Sequence, residues 1–134
     1  MMLGFVIAAA LLLAPDAFAA GPFDGTYTGT LSCPAFPDQT PMRVDISVTV
    51  TERAAIYATK AHDLTGAAER GRGTVSPSGE IALSGGCDGG FSCVTDYRGN
   101  LGAKPIQLKG SQRWWFRSGE RERPCAIDLA RGKS

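Results

Sequence analysis

Four cysteines, a single histidine and one run of aromatics among arginines are the residues whose types and spacing could do chemistry in this chain. Cys33, Cys87, Cys93 and Cys125 could bind a metal or form disulfides. A metal site needs CxxC-type spacing or clustered histidines, and the chain offers a Cys-x5-Cys and His62 alone. An even number of cysteines in a short exported chain reads as two disulfides. His62 stands next to Asp63, but no G-x-S-x-G elbow supplies a nucleophile for it to activate, and it reads as a solvated residue beside a turn. Carboxylate pairs such as Asp88/Asp96 or Glu120/Glu122 could in principle do acid–base work. Glu120 and Glu122, however, interleave with Arg117, Arg121 and Arg123, which reads as a solvated, self-neutralising loop. The expectation is a non-catalytic protein without metal or cofactor.

The run Arg113 to Arg123, RWWFRSGERER, is the most unusual stretch. Parity splits its tryptophans. Trp114 shares a face with Ile106, Leu108 and Phe116, and is expected to point inward. Trp115 shares the other face with Gln107, Lys109, Ser111 and Arg113, and is expected outside, flanked by Arg113 and Arg117 as a partner contact. Tyr27, Tyr97 and Trp114, each with an apolar body and a polar tip, are the candidate contacts for a small ligand held inside.

These residues are positioned by strands. Met42 to Thr51, MRVDISVTVT, alternates without a fault: Met42, Val44, Ile46, Val48 and Val50 on one face and polar residues on the other. Phe23 to Cys33 does the same. Further strands are expected over Ala54 to Ala61, Ala67 to Val75, Glu80 to Ser84, Phe91 to Leu101, Ile106 to Arg117 and Pro124 to Ala130. They are separated by turn chemistry such as Ser76-Pro77-Ser78-Gly79 and by a Gly85-Gly86 break. Eight strands with hairpin-length links favour an all-β, antiparallel up-and-down meander, and closing it into a barrel removes both free edges. Cys33 ends the first strand and Cys125 begins the eighth. In a closed meander those positions adjoin, so a Cys33–Cys125 bridge would lock the seam, while Cys87–Cys93 would staple the fifth hairpin. Four cysteines allow three pairings, and the other pairings remain open on sequence. Glycines at 25, 29, 73, 99 and 110 fall within strands, where they relieve curvature or leave room for a ligand.

Before these strands, Leu3 to Ala14 is an uncharged apolar run, broken by Pro15-Asp16 and followed by Ala17-Phe18-Ala19. It has the length of a signal-peptide core and falls short of the roughly 20 residues that span a bilayer. Residues 1–19 are therefore read as a cleaved signal peptide, although no base precedes the run, and residues 20–134 as one β-barrel domain. The expected location is the periplasm or the exterior. Fourteen Lys and Arg balance thirteen Asp and Glu, and the leader removes only Asp16, so no global charge calls for nucleic acid. Hydrophobic residues make up 43% of the chain, enough for a folded core. A monomer without a membrane span is expected.

GTYTGTL (25–31), RGRGTVSPSGEI (70–81) and RPCAIDL (123–129) resemble segments of small exported β-barrel proteins of Gram-negative bacteria, a resemblance that covers most of the mature chain and carries no activity with it. Gly25-x-Tyr27 is similar to the Gly-x-Trp start of lipocalin-like barrels. In size and disulfide use the chain also resembles periplasmic barrels that inhibit proteases and lysozyme. Two functions follow as expectations: a binding protein for a small apolar or amphipathic ligand, or a protein-binding module such as an inhibitor of an envelope or host hydrolase. The second would act through loops such as Ala35 to Pro41 and Ser118 to Arg123.

Overall fold

Alternating apolar residues must all face one way in an extended chain, and eight such segments can hide their apolar faces together by curling into a ring. The computed structural model, which describes residues 21–35, 41–62, 67–88 and 92–133, is such a ring. Its strands are β1 (Gly25–Cys33), β2 (Met42–Thr51), β3 (Ala54–Thr59), β4 (Ala68–Val75), β5 (Glu80–Asp88), β6 (Cys93–Asn100), β7 (Ile106–Phe116) and β8 (Gly119–Arg131). Each pairs antiparallel with the next, and β8 pairs with β1 to close the barrel. No helix among the described residues is long and apolar enough to cross a membrane. The signal-peptide expectation concerns residues 1–19, outside the described residues.

The seam is registered so that Ser32 faces Ala126, which sets Cys33 opposite Cys125, and the two are bridged. Gly86 faces Val94, setting Cys87 opposite Cys93, which are bridged as well. Both expected pairings are therefore present. Two disulfides in so small a domain point to an oxidising, non-cytoplasmic environment.

Several boundaries differ from expectation. β5 does not stop at Ser84, because Gly85 and Gly86 continue the ladder against Thr95 and Val94. The segment Ser118 to Arg123 is not a charged loop. β8 starts at Gly119, and Glu120 and Glu122 pair across from Trp115 and Arg113, so only Arg117 and Ser118 turn the hairpin. Arg123 consequently lies inside the barrel with 4% of its surface exposed, two residues before Cys125 on the same face. The first strand also begins two residues later than expected, because Phe23 leaves the ladder to cover the core.

The two ends of the barrel are unlike. At one end the turns are tight. Glu52 and Arg53 adopt positive φ (49° and 68°), the twist a two-residue hairpin needs, braced by Glu52 N–H donating to Asp24 Oδ1 at 3.1 Å and Arg53 Nε to Val75 O at 3.2 Å. Phe23 lies over this end against Gly79, where a Cβ would collide with its ring and where φ is +94°. At the other end the β1–β2 and β3–β4 links are longer, and this end is the mouth.

The bridges should stabilise unequally. By loop closure the Cys33–Cys125 link, spanning 92 residues, should contribute about 4–5 kcal/mol, and Cys87–Cys93, spanning 6, about 2 kcal/mol. Urea titration of the Cys33→Ser/Cys125→Ser and Cys87→Ser/Cys93→Ser variants should give a clearly larger loss for the first. Equal losses would show that the seam bridge does not govern stability.

Candidate functional site

Inside the barrel, residue type changes along the axis. From the capped end to the middle the interior is apolar, built on Leu31, Val48, Ile81, Leu83, Leu108 and Ile127. Below the mouth, four strands turn polar side chains inward: Glu69 from β4, Thr95 from β6, Gln112 from β7 and Arg123 from β8, all buried. Their placement follows from parity alone. Glu69 is two residues from Gly71 on β4's inner face, Thr95 two from Tyr97, and Gln112 lies between Gly110 and Trp114.

These groups satisfy one another. The Tyr97 hydroxyl donates to Glu69 Oε1 at 2.6 Å, and Gln112 Nε2 donates to Glu69 Oε2 at 3.0 Å. Gln112 Oε1 accepts from Trp114 Nε1 at 2.7 Å and from Arg123 Nε at 2.9 Å. One amide thus stands between a buried guanidinium and a buried carboxylate, with its orientation fixed by donors on one side and an acceptor on the other. Arg123 Nη1 reaches the Pro34 carbonyl at 2.9 Å, tying the network to the end of β1. Beside it, Tyr57 and Thr95 share a hydroxyl–hydroxyl bond at 2.5 Å, and Tyr57 meets Tyr97 edge-on, ring centres 6.0 Å apart.

Burial raises the Glu69 carboxyl above its ordinary range, against the hydrogen bonds from Tyr97, Thr95 and Gln112 and the charge of Arg123, which act to lower it. Burial pulls the Arg123 guanidinium down, with Glu69 opposing. All three tyrosines of the chain are raised: Tyr27, Tyr57 and Tyr97, each first by burial, with Glu69 adding to the shift at the latter two.

The candidate ligand residues do not form one site. Tyr97 and Trp114 join the same network through Glu69 and Gln112, but Tyr27 lies at the capped end, its hydroxyl donating to Phe23 O at 2.7 Å. The candidate partner residues do gather. Trp115 is 50% exposed on the outer wall, Arg113 pairs with Glu120 at 2.9 Å, and Arg117 is exposed in the turn. Val94, 41% exposed, lies on β6 directly opposite Arg113 and diagonal to Trp115, and was not singled out by the sequence. His62 is half-buried, its backbone N–H donating to Ala67 O at 2.8 Å. Most of the Ala35 to Pro41 loop lies outside the described residues. No protein-family model matches this sequence, and no curated protein is significantly similar to it.

Two titrations check this account. A carboxyl raised by folding stabilises the fold fully below its unfolded value, near 4.5, and that contribution is lost as pH rises through the higher folded value. The wild type should therefore lose stability relative to Glu69→Gln as pH rises above about 4.5 in urea titrations. A constant gap between the two would refute a buried, titrating Glu69. Second, absorbance at 295 nm should show the tyrosines ionising above pH 10, the ordinary phenol value, rather than at it. A tyrosine titrating reversibly with its midpoint at or below pH 10 while the fold stays intact would contradict the burial described.

Proposed function

We propose that this is a non-catalytic, periplasmic or secreted β-barrel that binds a protein partner through the outer wall around Trp115, in the manner of an inhibitor or adaptor. The observation that carries the reading is the contrast between a filled interior and an exposed aromatic patch. Tyr27, Leu31, Val48, Tyr97, Leu108 and Ile127 each have 0% of their surface exposed, so no water-sized space touches them. A small ligand would have to displace side chains already bonded to one another. Among the interior glycines, space at Gly71 and Gly85 is taken by Tyr57 and at Gly99 by Leu108, which supports curvature and packing as their purpose.

Trp115, by contrast, stands half-exposed beside Val94, Arg113 and Arg117. Tryptophan and arginine are the residues most enriched where binding energy concentrates, and a rim ion pair such as Arg113–Glu120 holds the surrounding surface in place. The mid-strand charges Asp45, Arg72, Arg98, Lys109 and Asp128 on the outer wall support a water-facing barrel rather than a lipid-facing one.

The test is photo-crosslinking in the cells that make the protein. A crosslinking residue in place of Trp115 or Val94 should yield a discrete protein adduct, whereas one at Thr28, exposed on β1, should not. With the partner in hand, Trp115→Ala should weaken binding by about thirtyfold, the scale of a central aromatic anchor. Absence of an adduct at 115 and 94, with a small molecule retained in native mass spectrometry, would overturn the proposal in favour of an interior ligand.

A further inference from the structure

A second surface lies away from Trp115, on the outer wall of β3, β4 and β5. The outward residues of β3 are apolar: Ala54, Ile56 and Ala58, with Ile56 67% exposed. The outward residues of the adjacent β4 are Arg70, Arg72 and Thr74, and those of β5 are small: Ala82, Ser84 and Gly86. The ladder sets Ile56 directly opposite Arg72, and Ala58 opposite Arg70. Arg72 in turn faces Ser84.

Three stripes therefore run side by side, one apolar, one basic and one nearly bare. They bound a groove of about 950 Å³ lined by Ile56, Ala58, Arg70, Arg72 and Ser84. The groove has a cause in the core. Where the inward residues are Gly71 and Gly85, the wall rests directly on the Tyr57 ring, because a Cβ at either position would collide with it. The strand backbones of β4 and β5 therefore lie close against the Tyr57 side chain at that point.

The charge of this groove is not neutralised locally. Among the described residues neither Arg70 nor Arg72 forms an ion pair; Asp88 lies diagonal to Arg70 on the outer face of β5, and Asp96, one strand further on, accepts a hydrogen bond from Ser84 at 2.9 Å. Arg98 and Lys109, opposite each other across β6 and β7, extend the positive field, and like charges so placed cost stability rather than add it. Arg70 and Arg72 are two residues apart on one face of a strand, so their guanidinium stems stand about 7 Å apart. An extended peptide carrying acidic residues at alternate positions repeats with that same spacing.

We propose that the β3–β5 groove binds an extended acidic segment of a protein partner, two alternating carboxylates meeting Arg70 and Arg72 while an apolar side chain covers Ile56. Complementary charge selects the partner and speeds encounter, and the apolar stripe supplies the burial that holds it. This surface does not depend on the role assigned to Trp115.

The probes are three blocked peptides, Leu-Glu-Leu-Glu-Leu, its glutamine analogue and its lysine analogue, titrated into the isotope-labelled mature protein and followed by amide chemical shifts. The glutamate peptide should shift amides of β3, β4 and β5, with an affinity that falls several-fold when salt rises to about 0.3 M, where screening is strong. Arg70→Glu/Arg72→Glu should reduce that affinity at least tenfold while keeping a dispersed, folded spectrum, and the charge-matched control Arg43→Glu/Lys104→Glu, at exposed positions off this wall, should not. Equal binding of the glutamine peptide would overturn the role of charge. Shifts confined to other strands, or none, would overturn the site. Binding of phosphatidylglycerol vesicles at β3–β5 without binding of the glutamate peptide would replace the protein partner with a membrane surface and sink the proposal.

Discussion

Closing eight strands into a ring leaves an interior roughly one side chain deep from every direction, and whatever points inward must be accommodated by its opposite numbers. Large and absent side chains therefore have to alternate around the ring. The Tyr57 ring occupies the space that Gly71 and Gly85 leave, Leu108 occupies that of Gly99, and Tyr97 meets Tyr57 edge-on at 6.0 Å. The same constraint fixes the seam. Because β1 and β8 must meet in register for the ring to close, Cys33 and Cys125 come to lie opposite each other, and their bond then holds the pairing of the first strand with the last.

The polar layer beneath the mouth is expensive by the same reasoning. Burying a carboxylate and a guanidinium costs several kcal/mol per ion unless hydrogen bonds compensate, and apolar residues of similar volume would do as well or better for stability alone. What the layer provides is definition. Gln112 can satisfy Trp114, Arg123 and Glu69 in only one orientation, and Arg123 can reach Pro34 O only with β1 and β8 in their observed register. A wrong closure of the ring would leave those groups unpaired inside the protein, a penalty an apolar layer would not impose.

The ring itself was legible in the chain because period-2 alternation and cysteine placement are both local in sequence and sharp in consequence. Val44, Ile46, Val48 and Val50 admit one reading, and a bridge between the first and last strands follows from closure. The polar layer was hidden for a physical reason. Composition marks Arg117 to Arg123 as a solvated loop, and only parity counted back from Cys125 shows that Arg123 must face inward. Glu69 could have been found by the same count back from Val75 through Gly73 and Gly71, where glycines conceal the alternation. Tyr27 and Tyr97 look equivalent as residues, but which end of the barrel each occupies depends on strand direction. That separates a tyrosine bonded to Phe23 from one bonded to Glu69.

Closure also dictates how such a barrel can recognise anything else. A ring has no free edge, so a partner cannot add a strand and must be gripped by side chains on the wall or at the rim. Among the described residues the large apolar side chains left exposed are Ile56, Val94 and Trp115. Val94 and Trp115 lie on adjacent strands and can meet one surface. Ile56 is on β3, four strands from β7, which in a ring of eight is the opposite side. No single flat partner can cover both. The aromatic patch at the rim, with its ion pair, and the basic groove over Tyr57 therefore lie on opposite faces, and a molecule touching both would have to hold the barrel between them.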